Sequence, residues 1–84
     1  MPETMTKAEA EKLPVFEECA EPEIGTFYLW RDWTDPELTF FVRPTAADEL
    51  GTIAEVFVIR DGVVSFVAGE IFARENGRLR LIED

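Results

Sequence analysis

The sequence contains no histidine, a single cysteine and a single serine. Histidine is the usual general base and the commonest metal ligand, so its absence removes the most frequent route to acid–base catalysis and to a metal site. Cys19 alone can form neither an intrachain disulfide nor a cysteine-based metal site. Ser65 lies inside an apolar run with no base near it in the sequence. We therefore predict no catalytic, metal-binding or cofactor-binding residues, and a protein that is not an enzyme.

Carboxylates are the one remaining catalytic possibility. Nearby pairs such as Asp32 and Asp35 can perform acid–base or glycosidic chemistry. With 18 acidic residues among 84, however, such pairs arise by chance. Solvated surface explains them better, and a pocket holding a strongly perturbed carboxylate would be needed to favour an enzyme.

Long hydrophobic runs are also missing. No stretch approaches the roughly 18 apolar residues that a membrane span needs. Residues 1–12 are polar and acidic and lack the apolar segment of a secretory signal. We expect a cytoplasmic protein, in the cytoplasm of the host cell if the protein is phage-encoded.

Basic residues are scarce, with eight Lys and Arg against 18 Asp and Glu, for a net charge of −10. Nucleic acids and anionic membrane surfaces would be repelled, so we expect neither as a direct partner. A larger protein with a basic surface is the partner toward which this charge would steer the molecule. The alternative is that the acidity only keeps a small apolar-rich domain soluble.

The chain is nonetheless rich in core-forming residues. Hydrophobic residues make up 46% of the sequence, including seven Phe, two Trp and one Tyr. This composition argues against disorder, and 84 residues suffice for one domain. We expect a single domain over residues 1–84, with an acidic helix and linker over 1–23 and a β-rich core over 24–84.

The N-terminal part predicts one short helix. Thr6 followed by Glu9 has the form of a capping box, and Pro14 is a natural stop, so the helix would span residues 7–13. So short a helix is not stable alone in water, so it would either dock through Ala8, Leu13 and Phe16 or fray. Residues 17–23 contain a proline and follow neither a helical nor a strand period, which predicts an irregular acidic linker.

Two aromatic, β-branched runs within residues 25–43 predict an antiparallel hairpin with a turn over 34–37. This turn pairs Trp33 with Leu38 and Leu29 with Val42. The opposite face of the hairpin would then carry Tyr28, Trp30, Phe41 and Arg43. Because Tyr, Trp and Arg are frequent at interface hot spots, this aromatic face is a candidate partner-binding surface. The alternative is that the N-terminal helix or the long bent strand covers it.

A helical turn is predicted near residues 46–50, with Thr45 as its cap and Gly51 in the left-handed position at its end. The Asp61-Gly62 pair then predicts a tight type I′ hairpin. Its register pairs Ile59 with Val64 and Phe57 with Phe66.

The last part of the chain predicts one long strand and an edge strand. Gly69, inside the long run, predicts a bulge or a bend. Asn76-Gly77 predicts a second tight hairpin, followed by an edge strand with one wet face. The whole pattern predicts an α+β fold, mostly antiparallel β, with about five strands in a curled sheet or half-open barrel.

Most of the negative charge lies outside the predicted strands. Residues 1–23 carry a net charge of −5 and residues 44–55 carry −3, whereas segments 24–43 and 56–84 carry −1 each. If these acidic segments converge, they form an acidic face that could imitate a phosphate backbone. The candidate partner-binding residues of this face are Glu17, Glu18, Glu21, Glu23, Asp48 and Glu49.

These features favour a non-enzymatic inhibitor or adaptor that docks its acidic face on a basic, often nucleic-acid-binding, surface of a partner protein. Small acidic phage-encoded inhibitors of bacterial defence nucleases, anti-CRISPR proteins among them, and toxin-neutralising immunity proteins are similar in size and charge. The alternative is a homo-oligomeric structural or assembly subunit, such as a homodimer, that pairs through Trp30, Phe41 and the edge strand near 78–82. Salt should weaken the first kind of binding and not the second.

Overall fold

The computed structural model describes residues 5–35 and 37–82. One helix precedes five strands: α1 (Lys7–Glu11), β1 (Tyr28–Asp35), β2 (Leu38–Ala47), β3 (Gly51–Arg60), β4 (Val63–Glu75) and β5 (Arg78–Leu81). Each strand pairs antiparallel with the next one in sequence, giving a single sheet of order β1-β2-β3-β4-β5. The sheet is curled and nearly closed, which confirms the predicted class, mostly antiparallel β with about five strands in a curled sheet or half-open barrel.

The two tight hairpins form as predicted. Asp61 and Gly62 have φ of 51° and 77°, and Asn76 and Gly77 have φ of 52° and 78°. Positive φ at both central residues is the requirement of a type I′ turn, which Asp-Gly and Asn-Gly meet at low steric cost. The turn after β3 sets the predicted register, with Ile59 opposite Val64 and Phe57 opposite Phe66.

The predicted register of β1 and β2 is wrong by one residue. Tyr28 lies opposite Val42 and Trp30 opposite Phe40, and the ladder then shifts before Asp35 pairs with Leu38. The strands are therefore joined by a shorter connection than the four-residue turn, and an irregularity within β1 takes up the extra residues. Pro36, and the side chains of Trp33 and Thr34, lie outside the described residues.

The predicted helical turn near 46–50 is also wrong, because β2 continues through Ala47 and a short turn leads into β3. The Asp48 carboxylate accepts hydrogen bonds from the backbone N–H groups of Leu50 (2.8 Å) and Gly51 (3.0 Å), which holds this turn. The Thr45 hydroxyl, expected to cap a helix, instead donates across the ladder to the carbonyl of Ile53 (3.3 Å). Gly51 is not a left-handed helix end but the first residue of β3.

The bulge in the long strand β4 lies earlier than Gly69. The register shifts between Val56, which pairs with Ala68, and Phe57, which pairs with Phe66, so Val67 is the extra residue. Gly69 pairs regularly with Glu55. The bulge changes which β4 side chains share a face with those of β3 beyond this point.

The gap between the edge strands β1 and β5 is closed by residues 14–17. The Phe16 N–H donates to the Leu29 carbonyl and the Leu29 N–H to the Pro14 carbonyl, both at 2.8 Å. On the other side, the Leu79 N–H donates to the Glu17 carbonyl at 3.1 Å. We call this junction of residues 14–17 with β1 and β5 the seam. The start of the predicted irregular linker is thus part of the sheet's closure.

Two apolar cores occupy the two faces of the curled sheet. The inner core consists of Phe16, Tyr28, Trp30, Phe40, Val42, Ala54, Val56, Phe72 and Leu79. The outer core consists of Ala10, Phe41, Phe57 and Ile59, with Met5, Leu13, Phe27 and Val64 packed against it. This second core explains why both faces of the first hairpin are apolar in sequence.

Helix α1 covers part of the outer core. Its predicted capping box is confirmed, since the Thr6 side chain accepts from the Glu9 N–H and the Glu9 side chain accepts from the Thr6 N–H. The buried residue of the helix is Ala10, whereas Ala8, expected to dock, is exposed. In the described part of the chain, no helix has the length and apolar character needed to cross a bilayer.

Candidate partner-binding surface

Glu17, predicted to belong to the acidic face, is fully buried in the seam. Both carboxylate oxygens lie 3.0 Å from the backbone N–H of Arg31, which donates to them. Burial raises the pKa of this carboxyl above its ordinary value of 4.5, and the hydrogen bond from Arg31 opposes that rise. Glu17 therefore closes the sheet and is removed from the candidate binding surface.

Arg78, the first residue of β5, links the seam to the surface. Its guanidinium lies 2.9 Å from the Asp32 carboxylate and 3.9 Å from the Glu17 carboxylate. The pKa of Arg78 is raised because its hydrogen bond to Asp32 favours the charged form. This pair fixes β5 beside β1 and uses one of the few cations of the chain.

The other predicted acidic residues lie on two segments that meet at Arg74. The Arg74 guanidinium donates to the Ala20 carbonyl (2.6 Å), and the Arg74 backbone N–H donates to the Leu50 carbonyl (3.2 Å). A further hydrogen bond joins the Gly25 N–H to the Pro44 carbonyl (2.9 Å). The linker after the seam and the turn between β2 and β3 are thus held at the same end of the sheet.

We call the surface formed by these residues the acidic end; its members are Glu18, Glu21, Glu23, Asp48 and Glu49. All five are exposed. Within residues 5–35 and 37–82, none of the ion pairs involves a member of this group. Two members also have local structural roles, since Asp48 holds its turn and Glu23 accepts from the Thr26 hydroxyl (3.4 Å). Their charges remain available to an incoming cationic surface.

The predicted aromatic face does not exist as a surface. The one-residue change in register places Tyr28 and Trp30 in the inner core, whereas Phe41 lies on the other face in the outer core. All three are buried, with exposed fractions of 5%, 4% and 0%. The homodimer contact expected through Trp30 and Phe41 loses its aromatic part for the same reason.

Arg43, the fourth residue predicted for that face, is half-buried and paired within the chain. Its guanidinium hydrogen-bonds to the Glu55 carboxylate on β3 and lies 5.9 Å from the centre of the Phe27 ring. The second contact has the geometry of a cation–π interaction. Arg43 therefore covers the outer core.

An apolar groove, not predicted from the sequence, lies beside the acidic end. We define it by six lining residues, Ala46, Leu50, Ile53, Ile71, Ala73 and Ile82. Its volume is about 320 Å³. Ile53 and Ile71 are directly opposite each other on β3 and β4. The bulge in β4 creates this pairing, because a hairpin register without a bulge would place Ile53 opposite Glu70.

The groove exposes an unusual amount of aliphatic surface for a small domain. Its four large residues, Leu50, Ile53, Ile71 and Ile82, have exposed fractions of 78%, 46%, 54% and 48%. Single exposed aliphatic residues are common, but a contiguous group of them marks an interaction site or an aggregation hazard. The groove is the second feature of the candidate surface.

Residues 5–35 and 37–82 contain no group of three or more carboxylate or thiol ligands able to hold a metal ion. Tyr28 has a pKa raised chiefly by burial, and its hydroxyl accepts from the Glu23 N–H at 2.8 Å. Its role is to anchor the acidic linker to the inner core.

The candidate surface therefore combines five exposed carboxylates with a neighbouring apolar groove. Comparison of the chain with protein-family models, with curated proteins and with solved structures found no match.

Proposed function

We propose that this protein is a non-enzymatic inhibitor or adaptor that docks its acidic end on a basic surface of a larger protein. The observation that carries the proposal is the double contact of Arg74, which ties the linker at Ala20 to the turn at Leu50. The two segments that hold the five members of the acidic end are thereby kept adjacent. A fixed cluster of charges binds a complementary surface better than the same charges on mobile segments, since less entropy is lost on docking.

A nucleic-acid-binding surface is the best partner for this arrangement. Such surfaces carry clustered Lys and Arg that neutralise successive phosphates. The net charge of −10 steers the molecule toward such a surface, and the unpaired carboxylates of the acidic end supply the local contacts. The protein would then act by occupying the site where nucleic acid binds, as expected of an inhibitor from phage or of an immunity protein.

The test compares two variants with the same charge. The first neutralises four members of the acidic end, through Glu18→Gln, Glu21→Gln, Glu23→Gln and Glu49→Gln. The control neutralises four acidic residues toward the opposite end of the sheet, through Glu11→Gln, Asp35→Asn, Glu37→Gln and Asp61→Asn. Asp48 is kept because its carboxylate holds the turn.

Tagged wild-type protein and both variants are used to capture partners from a lysate of the source organism. We expect a basic partner that binds the wild type and the control and is released by heparin and by high salt. The first variant should lose this partner and show a shallower salt dependence. A partner that is neither basic nor able to bind nucleic acid, or equal capture by both variants, would contradict the proposal.

A further inference from the structure

The apolar groove lies beside the acidic end and is open to solvent. Two small residues line it at the junction of β3 and β4, where Gly51 is opposite Ala73. A Cβ atom at Gly51 would lie 2.1 Å from the Phe72 carbonyl oxygen, so the two strands approach closely there. The volume of about 320 Å³ suits roughly two side chains of benzene size, because a cavity of about 150 Å³ holds one benzene.

The charges next to the groove are asymmetric. Asp48 lines the groove, and both Asp48 and Glu49 are exposed in the turn that immediately precedes Leu50. On β5, exposed Arg80 lies opposite Ala73, a lining residue, so a cation is next to the groove at that strand. A segment that fills the groove with apolar side chains would thus place neighbouring cations near the 48–49 turn.

We propose that the groove binds an amphipathic segment of the partner protein, with apolar side chains in the groove and Lys or Arg side chains against Asp48 and Glu49. This inference rests on the proposed function and adds the chemistry of the contact. Charge complementarity selects the occupant. A second copy of this chain would bring another net charge of −10 to the same place, which opposes self-association. A basic segment gains from both the apolar and the ionic contact.

The experiment uses synthetic peptides as probes and the full chain as the receptor. A peptide of alternating Leu and Lys is compared with a peptide of alternating Ser and Lys. Binding is measured by titration and located by methyl NMR. We expect the Leu–Lys peptide to bind more tightly and to shift the methyl signals of Leu50, Ile53, Ile71 and Ile82.

Two matched substitutions test the groove itself. Ile53→Thr removes apolar surface from the groove, while Val63→Thr makes a comparable change at the opposite end of the sheet, where Val63 is 58% exposed. Ile53→Thr should weaken the binding of the Leu–Lys peptide about tenfold, and Val63→Thr should leave that affinity unchanged. Arg80→Gln should tighten binding because it removes the cation next to the groove.

The outcomes separate this inference from the proposed function. If both peptides bind with equal affinity and Ile53→Thr changes neither affinity, the groove inference is overturned. In that case, weaker binding of both peptides by the variant with four neutralised carboxylates at the acidic end still supports the proposed function. If that variant changes the affinity of neither peptide, the proposed function fails, and so does the inference that the occupant is basic. Sedimentation that shows a dimer abolished by Ile53→Thr would instead identify a second copy as the occupant and overturn the inference.

Discussion

Glu17 shows how a single side chain can have a role opposite to the one its charge indicates. The residue belongs to an acidic run, yet its carboxylate is buried and receives the Arg31 N–H at 3.0 Å from each oxygen. A buried carboxylate is costly unless hydrogen bonds compensate for the lost water. Its neighbour Glu18 remains exposed, so one position in sequence separates a structural acid from a surface acid.

Substitution of Glu17 should reveal its raised pKa through the pH dependence of stability. The folded state holds the proton more tightly than the unfolded state, so the stability that this group contributes is present below its ordinary value of 4.5 and is lost as pH rises through the folded-state pKa. We expect the wild type to lose free energy of unfolding relative to Glu17→Gln between pH 4 and pH 7. Urea unfolding of both proteins at several pH values measures the difference.

Glu18→Gln is the control for the loss of one negative charge next to the seam. A difference between wild type and Glu17→Gln that stays constant over this pH range would show that the pKa of Glu17 is not raised. Glu17→Ala should cost about 1–3 kcal/mol at neutral pH, because it leaves the Arg31 N–H without its acceptor.

Among the elements, the hairpins at Asp61-Gly62 and Asn76-Gly77 could be predicted in register because the turn chemistry is entirely local. The register of β1 and β2 could not, since an irregularity within β1 decides which residues face each other. The prediction of a helical turn near residues 46–50 was wrong for a related reason. Its sequence suits a helix cap, but the Asp48 side chain and the ladder to β3 stabilise a strand and a turn instead.

Two glycines in the paired strands β3 and β4 allow a matched test of how closely these strands pack. At Gly51 a Cβ atom would lie 2.1 Å from the Phe72 oxygen and 3.2 Å from the Ala73 Cα, whereas at Gly69 nothing lies within 4 Å. Gly51→Ala must push the backbones apart and should cost about 1–3 kcal/mol or more. Gly69→Ala should be neutral or stabilising by up to about 1 kcal/mol, because it restricts the unfolded chain.

Thermal and urea unfolding of the two alanine variants measure this difference directly. Similar effects of the two substitutions would show that β3 and β4 do not approach as closely at Gly51 as the structure indicates. If only Gly69→Ala lost stability, the close approach of β3 and β4 would lie at Gly69 and not at Gly51.

At the scale of the whole molecule, the acidic end and the apolar groove lie side by side, and Asp48 borders both. The composition predicted the rich apolar core and the excess of acidic residues. The net charges of the segments predicted which regions carry that excess. The contacts of Arg74 with Ala20 and of Glu17 with Arg31 join residues far apart in sequence, so no local pattern indicated them. The groove escaped prediction because it brings together side chains of the turn between β2 and β3, of β4 and of Ile82, which lies beyond the last strand.

The net charge of −10 predicts opposite effects of salt on folding and on binding. Like charges about 10 Å apart repel by roughly 0.4 kcal/mol in water, and salt screens this repulsion. Raising NaCl from low concentration to about 0.5 M should therefore increase the free energy of unfolding by on the order of 1 kcal/mol. Urea midpoints at several salt concentrations measure this effect, and a decrease would show that ion pairs such as Arg78–Asp32 outweigh the repulsion.

The seam has a consequence for the fate of the molecule when it opens. Each hairpin joins strands that are neighbours in sequence, so the sheet can assemble stepwise from local contacts, but the seam needs residues 14–17 and β5 together. We expect it to form last and to open first, with early hydrogen exchange at the amides of Leu29, Arg31 and Leu79. An open seam presents two unpaired strand edges, which are templates for intermolecular pairing. The acidity that steers the protein to a partner would then also keep its opened copies apart.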